Sequence, residues 1–155
     1  MKKVIIVFFL MNLASITEAQ NNPQDAILGK WMNAEKDLAV EIYKFKEEFK
    51  AKVIWFKCFD GTKMSDYTDN KNANTSLRTR PWLGMEVLNG LNFKRDNEWN
   101  KGHIYDPNTG NTFRSVCRLE NNSVLKVRGF WMYEWIGQNL VFNRMNDNQK
   151  LVRAN

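Results

Sequence analysis

His103 is the one imidazole in a chain of 155 residues, so acid–base or nucleophilic chemistry near neutral pH would have to be built around it. Ser115 and Cys117 are the nearest nucleophiles along the chain, but no G-x-S-x-G turn presents either one. Glu86, Glu98, Asp106 and Glu134 supply carboxylates for glycoside hydrolysis, and nothing in their spacing pairs them. Asp60, Asp66 and Asp69 fall short of an Asp-x-Asp-x-Asp-Gly calcium loop. Two cysteines and one histidine exclude His- or Cys-rich zinc sites, and neither G-x-x-x-x-G-K-[ST] nor G-x-G-x-x-G is present to cradle a phosphate. The residue types point to a non-catalytic protein without metal or cofactor.

Binding chemistry is better represented. Residues 129–137 read Gly-Phe-Trp-Met-Tyr-Glu-Trp-Ile-Gly. If extended, this run sends Trp131, Tyr133 and Trp135 to one face and Phe130, Met132, Glu134 and Ile136 to the other. Neither face is freely solvated without cost. One face is expected to line a ligand cavity, with Trp55, Tyr105 and Phe113 opposite; core packing is the competing reading for any single ring. Arg78 and Arg80 flank Thr79 ahead of Pro81-Trp82. They either clamp a ligand's acidic headgroup at the mouth or salt-bridge to Asp66 or Asp69. The second reading is preferred, because a long polar loop needs anchoring to stay ordered.

Short alternating runs must position these residues. Ile27 to Asn33 is the first, and Leu38, Val40 and Ile42 alternate with polar or small partners in the second. Phe49, Ala51, Val53 and Trp55 share a face in the third. A polar stretch, 60–80, is expected to be one long irregular loop. Strands resume over 85–93, where Asn89-Gly90 suggests a bulge, and over 99–105. Asp106-Pro107-Asn108-Thr109-Gly110 is a turn between antiparallel strands. Phe113, Ser115, Cys117 and Leu119 share one face beyond it. Further strands fall at 124–130 and 140–145, with a short edge strand at 150–153. About eight strands joined mostly by short turns predict an all-β, antiparallel up-and-down barrel, since closure removes exposed edges. A two-sheet sandwich is the alternative.

Formal net charge is +6, from 23 basic and 17 acidic residues. The basic start Met1-Lys2-Lys3, an apolar run and Thr17-Glu18-Ala19 have the three parts of a secretory signal peptide, assigned to 1–19 with cleavage near Ala19. Residues 20–155 are then a single domain, extracytoplasmic, in the periplasm or secreted. Export permits a bridge between Cys58 and Cys117, worth roughly 4 kcal/mol on a chain-entropy model. Two buried free thiols are the equal alternative. Basic groups are interspersed rather than clustered, which argues against nucleic acid and leaves contact with an anionic envelope surface open.

Gly29-Lys30-Trp31 resembles the G-x-W signature of lipocalin-type barrels. Further blocks follow: Asp69-x-x-Asn72, Leu77-Arg78-Thr79-Arg80-Pro81, Gly84, and Asn89-Gly90-Leu91. Then come Gly102-His103-Ile104-Tyr105-Asp106-Pro107-x-x-Gly110 and Leu125-Lys126-Val127-Arg128-Gly129-Phe130. In this order the chain resembles an exported bacterial family, domain of unknown function 2147. The sequence departs from that pattern at Lys101, where a second glycine commonly precedes Gly102. The resemblance implies a lipocalin-like barrel that binds a small apolar or amphipathic molecule, as a monomer or weak homodimer. It also implies that Trp31 plugs one end, with Arg144 over its ring. The rival reading is an envelope-associated protein with a solid core that contacts a macromolecule through its loops or aromatic patch.

Overall fold

The structure, a computed structural model, describes residues 22–146. The leader assigned to 1–19 and the edge strand expected at 150–153 lie outside these residues. Eight strands follow in order: β1 Gly29–Asn33, β2 Leu38–Phe45, β3 Glu48–Phe56, β4 Glu86–Arg95, β5 Glu98–Asp106, β6 Asn111–Asn121, β7 Val124–Phe130 and β8 Gly137–Arg144. Each pairs antiparallel with the next. β8 returns to β1 through Trp31 opposite Arg144 and Asn33 opposite Phe142, which closes the barrel and rules out the sandwich.

Period-two alternation decides which side chains face inward. Val40 and Ile42 on β2 meet Val53 and Ala51 on β3, and all four are buried. Leu119 and Cys117 on β6 meet Leu125 and Val127 on β7 in the same way. Register shifts break the pattern on several strand pairs, and two of them bear on the cavity. On β4 the partners of Phe49 and Ala51 are Leu91 and Leu88, so the strand carries an extra residue at the expected Asn89-Gly90 bulge, with Gly90 at φ +67°. On β3 the partners of Val40 and Ala39 are Val53 and Trp55, leaving Ile54 as an extra residue.

The two ends of the barrel differ. At the closed end Trp31, Trp99, Phe49, Leu91 and Leu125 are fully buried, with the Phe93 ring tilted against Trp99 at 5.3 Å. Each such side chain stabilises the fold by about 1.5–3 kcal/mol. A 3₁₀ turn, Pro23–Ile27, lies across this end; Asn22 caps it and Pro23 opens it. Trp31 Nε1 donates to Ile27 O at 2.9 Å, and Trp99 Nε1 donates to Gln24 O at 3.0 Å. The Arg144 guanidinium lies 4.1 Å from the Trp31 ring centroid and donates to the carbonyls of Leu28, Ala26 and Asn122. The stacking read from the resemblance is therefore observed.

Cys58 and Cys117 are free thiols. Cys117 pairs with Trp99 inside the closed half, where burial pushes its thiol up to about 12. Cys58 follows β3 at the opposite end, so no bridge joins them.

Candidate functional site

Up-and-down topology places the β1–β2, β3–β4, β5–β6 and β7–β8 connections at one end. Inside that end lies a cavity of about 410 Å³. Val40, Ile42, Val53, Leu88, Ile104 and Val127 form its walls, and Leu125 and Phe142 reach it from the packed half. Asp37, Lys57 and Asn108 stand among the polar groups around its mouth. Both carboxylates of the lining are engaged locally. Asp37 Oδ1 accepts from Asn33 Nδ2 at 2.5 Å, and Asp106 accepts from Asn108 N and Thr109 Oγ1 within its turn. Among the described residues, Lys57 has no carboxylate partner.

The roof comes from the β3–β4 connection, 57–85, which corresponds to the long loop expected over 60–80 and contains 3₁₀ turns at Met64–Asp66 and Thr75–Leu77. Tyr67 and Trp82 from this loop pack on Phe56 with ring centroids 5.0 and 5.5 Å away. All three line the cavity. The Trp82 indole N–H is buried and has no acceptor among the described residues.

Asp69 fastens the loop. Its side chain is fully buried and accepts from Tyr105 Oη at 2.5 Å, Asn72 Nδ2 at 2.7 Å and Arg80 Nη2 at 2.7 Å. Burial pushes the Asp69 carboxyl upward, but these three bonds outweigh it and hold the group below the usual range. Burial, and then the bond to Asp69, push the Tyr105 phenol up to about 12. Arg78 Nε donates to Asn72 O at 2.8 Å. Across the mouth, the Lys71 carbonyl approaches Gly110 so closely that a Cβ there would stand 2.1 Å from its oxygen.

The residues singled out for ligand contact thus have different positions. Tyr105 lines the cavity and also holds Asp69. Arg78 and Arg80 bind the loop to itself rather than reaching the cavity, with Asp69 rather than Asp66 as the partner of Arg80. Trp55 leaves the lining because the extra Ile54 reverses the alternation and turns Phe56 inward instead. Trp131, Tyr133 and Trp135 are not on a strand at all. β7 ends at Phe130, and 131–136 is an exposed loop that folds back over the outer wall. Arg118 pairs with Glu134 there, while Arg128 donates to the carbonyls of Glu134 and Trp135. Phe113 packs edge-on to Trp131 at 5.7 Å, outside the cavity lining. His103 is exposed on β5, with its backbone opposite Asn89 and Arg114.

Phe59, Tyr67 and Trp82 were not anticipated as lining. They sit in a loop without periodicity, and the pairing of Trp82 with Pro81 after two arginines was the one available hint. The interior is hollow in its open half, unlike the solid core of the rival reading.

A barrel of this form is similar to protein HP1028 from the human pathogen Helicobacter pylori, which belongs to the lipocalin family. The two are 22% identical over 77% of this chain and 83% of that one, with a TM-score of 0.68. This likeness establishes a lipocalin-like fold. A redesigned β-barrel is 13% identical over 79% of this chain and 94% of its own, with a TM-score of 0.43. No curated protein matches the sequence. A family profile described as an uncharacterized protein conserved in bacteria matches residues 29–144. The chain accordingly belongs to that bacterial family, domain of unknown function 2147.

Proposed function

We propose that the protein is an exported carrier that binds a small apolar or amphipathic molecule, without catalysis, in the open half of its barrel. The observation that carries this reading is the cavity of about 410 Å³, walled by aliphatic side chains from six strands and open to solvent. Its size falls within the range of small-molecule sites, which are mostly apolar with a few placed polar groups. Lys57 and the unpaired Trp82 indole N–H are lining groups with hydrogen-bonding capacity to spare, which favours an amphipathic occupant over a pure hydrocarbon. The signal-peptide pattern of 1–19 supports delivery outside the cytoplasm.

Titration with N-phenyl-1-naphthylamine, an apolar fluorophore, tests the reading. Saturable binding at one site per barrel is expected. Leu88→Trp and Val127→Phe place bulk in the cavity and should weaken binding at least tenfold while the β-sheet circular dichroism is retained. Absence of saturable binding, or equal binding by both filled variants, would sink the carrier.

A further inference from the structure

We propose that the β7–β8 loop is an interfacial anchor that rests the β6–β8 flank of the barrel on an anionic lipid surface. Trp131, Met132, Tyr133, Trp135 and Ile136 are consecutive but for Glu134, and each is between 55 and 76% exposed. A contiguous apolar patch of this kind on a small protein marks a place where something else binds. None of the five side chains lines the cavity, so the ligand site does not account for them.

The loop backbone is fixed while its side chains project. Arg118 Nη2 meets Glu134 Oε1 at 2.5 Å, Arg128 Nη2 donates to Trp135 O at 3.1 Å, and Arg128 Nη1 donates to Asn139 Oδ1 at 2.8 Å. Tyr133 and Trp135 stack at 5.8 Å on the exposed side. Ordering of the loop has therefore already happened in the free protein, and little further entropy is lost on docking. Trp and Tyr have an apolar body with a polar edge, the combination that suits the headgroup layer of a bilayer.

Charge on the same flank selects the kind of lipid. The outward positions of β6 and β7 carry Arg114, Arg118, Lys126 and Arg128. Glu98, Glu120 and Glu134 are the acidic groups beside them: Glu98 and Glu134 both pair with Arg118, and Glu120 pairs with Lys126. Arg128 spends its donors on carbonyls and an amide, and Arg114 lies over the Phe130 ring at 5.6 Å. Neither has a carboxylate partner among the described residues, so their charge is not cancelled locally. Aromatic side chains beside uncompensated guanidiniums complement anionic headgroups better than an apolar protein groove. Residues 20–155, with 21 basic and 16 acidic groups, carry a net positive charge that draws them to the same surface.

Cosedimentation with vesicles of phosphatidylcholine alone, or with about a third phosphatidylglycerol, tests the proposal. The intact protein should bind the anionic vesicles at least tenfold more strongly, lose binding in high salt, and show tryptophan quenching by brominated lipid. Trp135→Ala and the double variant Trp131→Ala/Trp135→Ala should lose binding progressively. Arg114→Gln/Arg128→Gln should remove the preference for anionic vesicles. Naphthylamine binding in the cavity is read separately on the same variants, so a failed carrier and a failed anchor are told apart. No vesicle binding by the intact protein, equal binding to neutral vesicles, or unchanged binding by the double variant would overturn the anchor. So would a concentration-dependent dimer in sedimentation that the double variant abolishes, since the patch would then join two copies.

Discussion

A carboxylate taken fully out of water must be answered by donors, and Asp69 has three from three parts of the chain. The spacing Asp69-x-x-Asn72 puts one donor back on the same turn, Arg80 closes the loop, and Tyr105 ties both to β5. Blocks far apart in sequence are thus parts of one fastening at the cavity mouth. Asp69→Ala should destabilise the protein by about 3 kcal/mol in urea unfolding, because it strands buried donors as well as losing a charge-assisted pair. Tyr105→Phe should cost about 1.5–3 kcal/mol, the usual worth of a hydrogen bond to a charged group. Because folding lowers the Asp69 pKa, its contribution is present above the ordinary carboxylate range and is lost as pH falls through the folded value. Tyr105 works in the opposite sense. Its folded value of about 12 lies above the unfolded one, so its contribution holds below pH 10 and fades toward pH 12. Unfolding midpoints measured across pH should show both edges, and Asp69→Asn should flatten the acid one. A variant as stable as the parent at neutral pH would mean that the fastening does not hold the loop.

At the scale of elements, bulges decide which sequence expectations hold. β5 has one between Trp99 and Gly102, and Lys101 takes φ +63° there, a left-handed conformation that its Cβ disfavours. This is the position at which the family pattern commonly has a second glycine, so the backbone retains a shape that the residue no longer suits. Lys101→Gly should raise stability by about 0.5–1 kcal/mol, seen as a higher urea midpoint with an unchanged slope; a drop would show that the lysine side chain compensates. The bulge at Asn89-Gly90 was legible because glycine announces it, whereas the one at Ile54 was not, since Val53, Ile54 and Trp55 all suit a strand on either face. That one extra residue moved Trp55 out of the cavity lining and brought Phe56 in. The strands, the Gly29-Lys30-Trp31 opening and the Asp106–Gly110 turn were readable because each is a local pattern. Closure, which depends on β8 reaching β1, was preferred over a sandwich only because it removes exposed edges. The aromatic run 131–136 defeated the same reasoning. Its alternation is compatible with a strand, but the hydrogen bonds that turn it into a loop come from Arg118 and Arg128, whose direction depends on the finished wall.

Over the whole molecule, packing and hollowness are divided between the two ends. The closed half holds Trp31, Trp99, Phe49 and Leu91 with the Pro23–Ile27 turn across it, and the open half encloses the cavity. Such a division lets a cavity remain underpacked without unfolding, since stability is not uniform across a structure. It also concentrates responsibility for closure on the short seam between β1 and β8, where Arg144 lies. Its planar guanidinium covers the indole of Trp31 and reaches the carbonyls of Ala26, Leu28 and Asn122 together. A lysine keeps the charge but not the flat fork that can stack and donate in several directions. Arg144→Lys should therefore cost about 2–3 kcal/mol of global stability, from the lost stacking and from carbonyls left poorly paired. Amide exchange along β1 and β8 should accelerate more than along β3 and β4. Naphthylamine binding, in the other half, should fall much less than stability does. If affinity and stability fell together, the two ends would be one cooperative unit, and the cavity would depend on the plug for its shape as well as its survival.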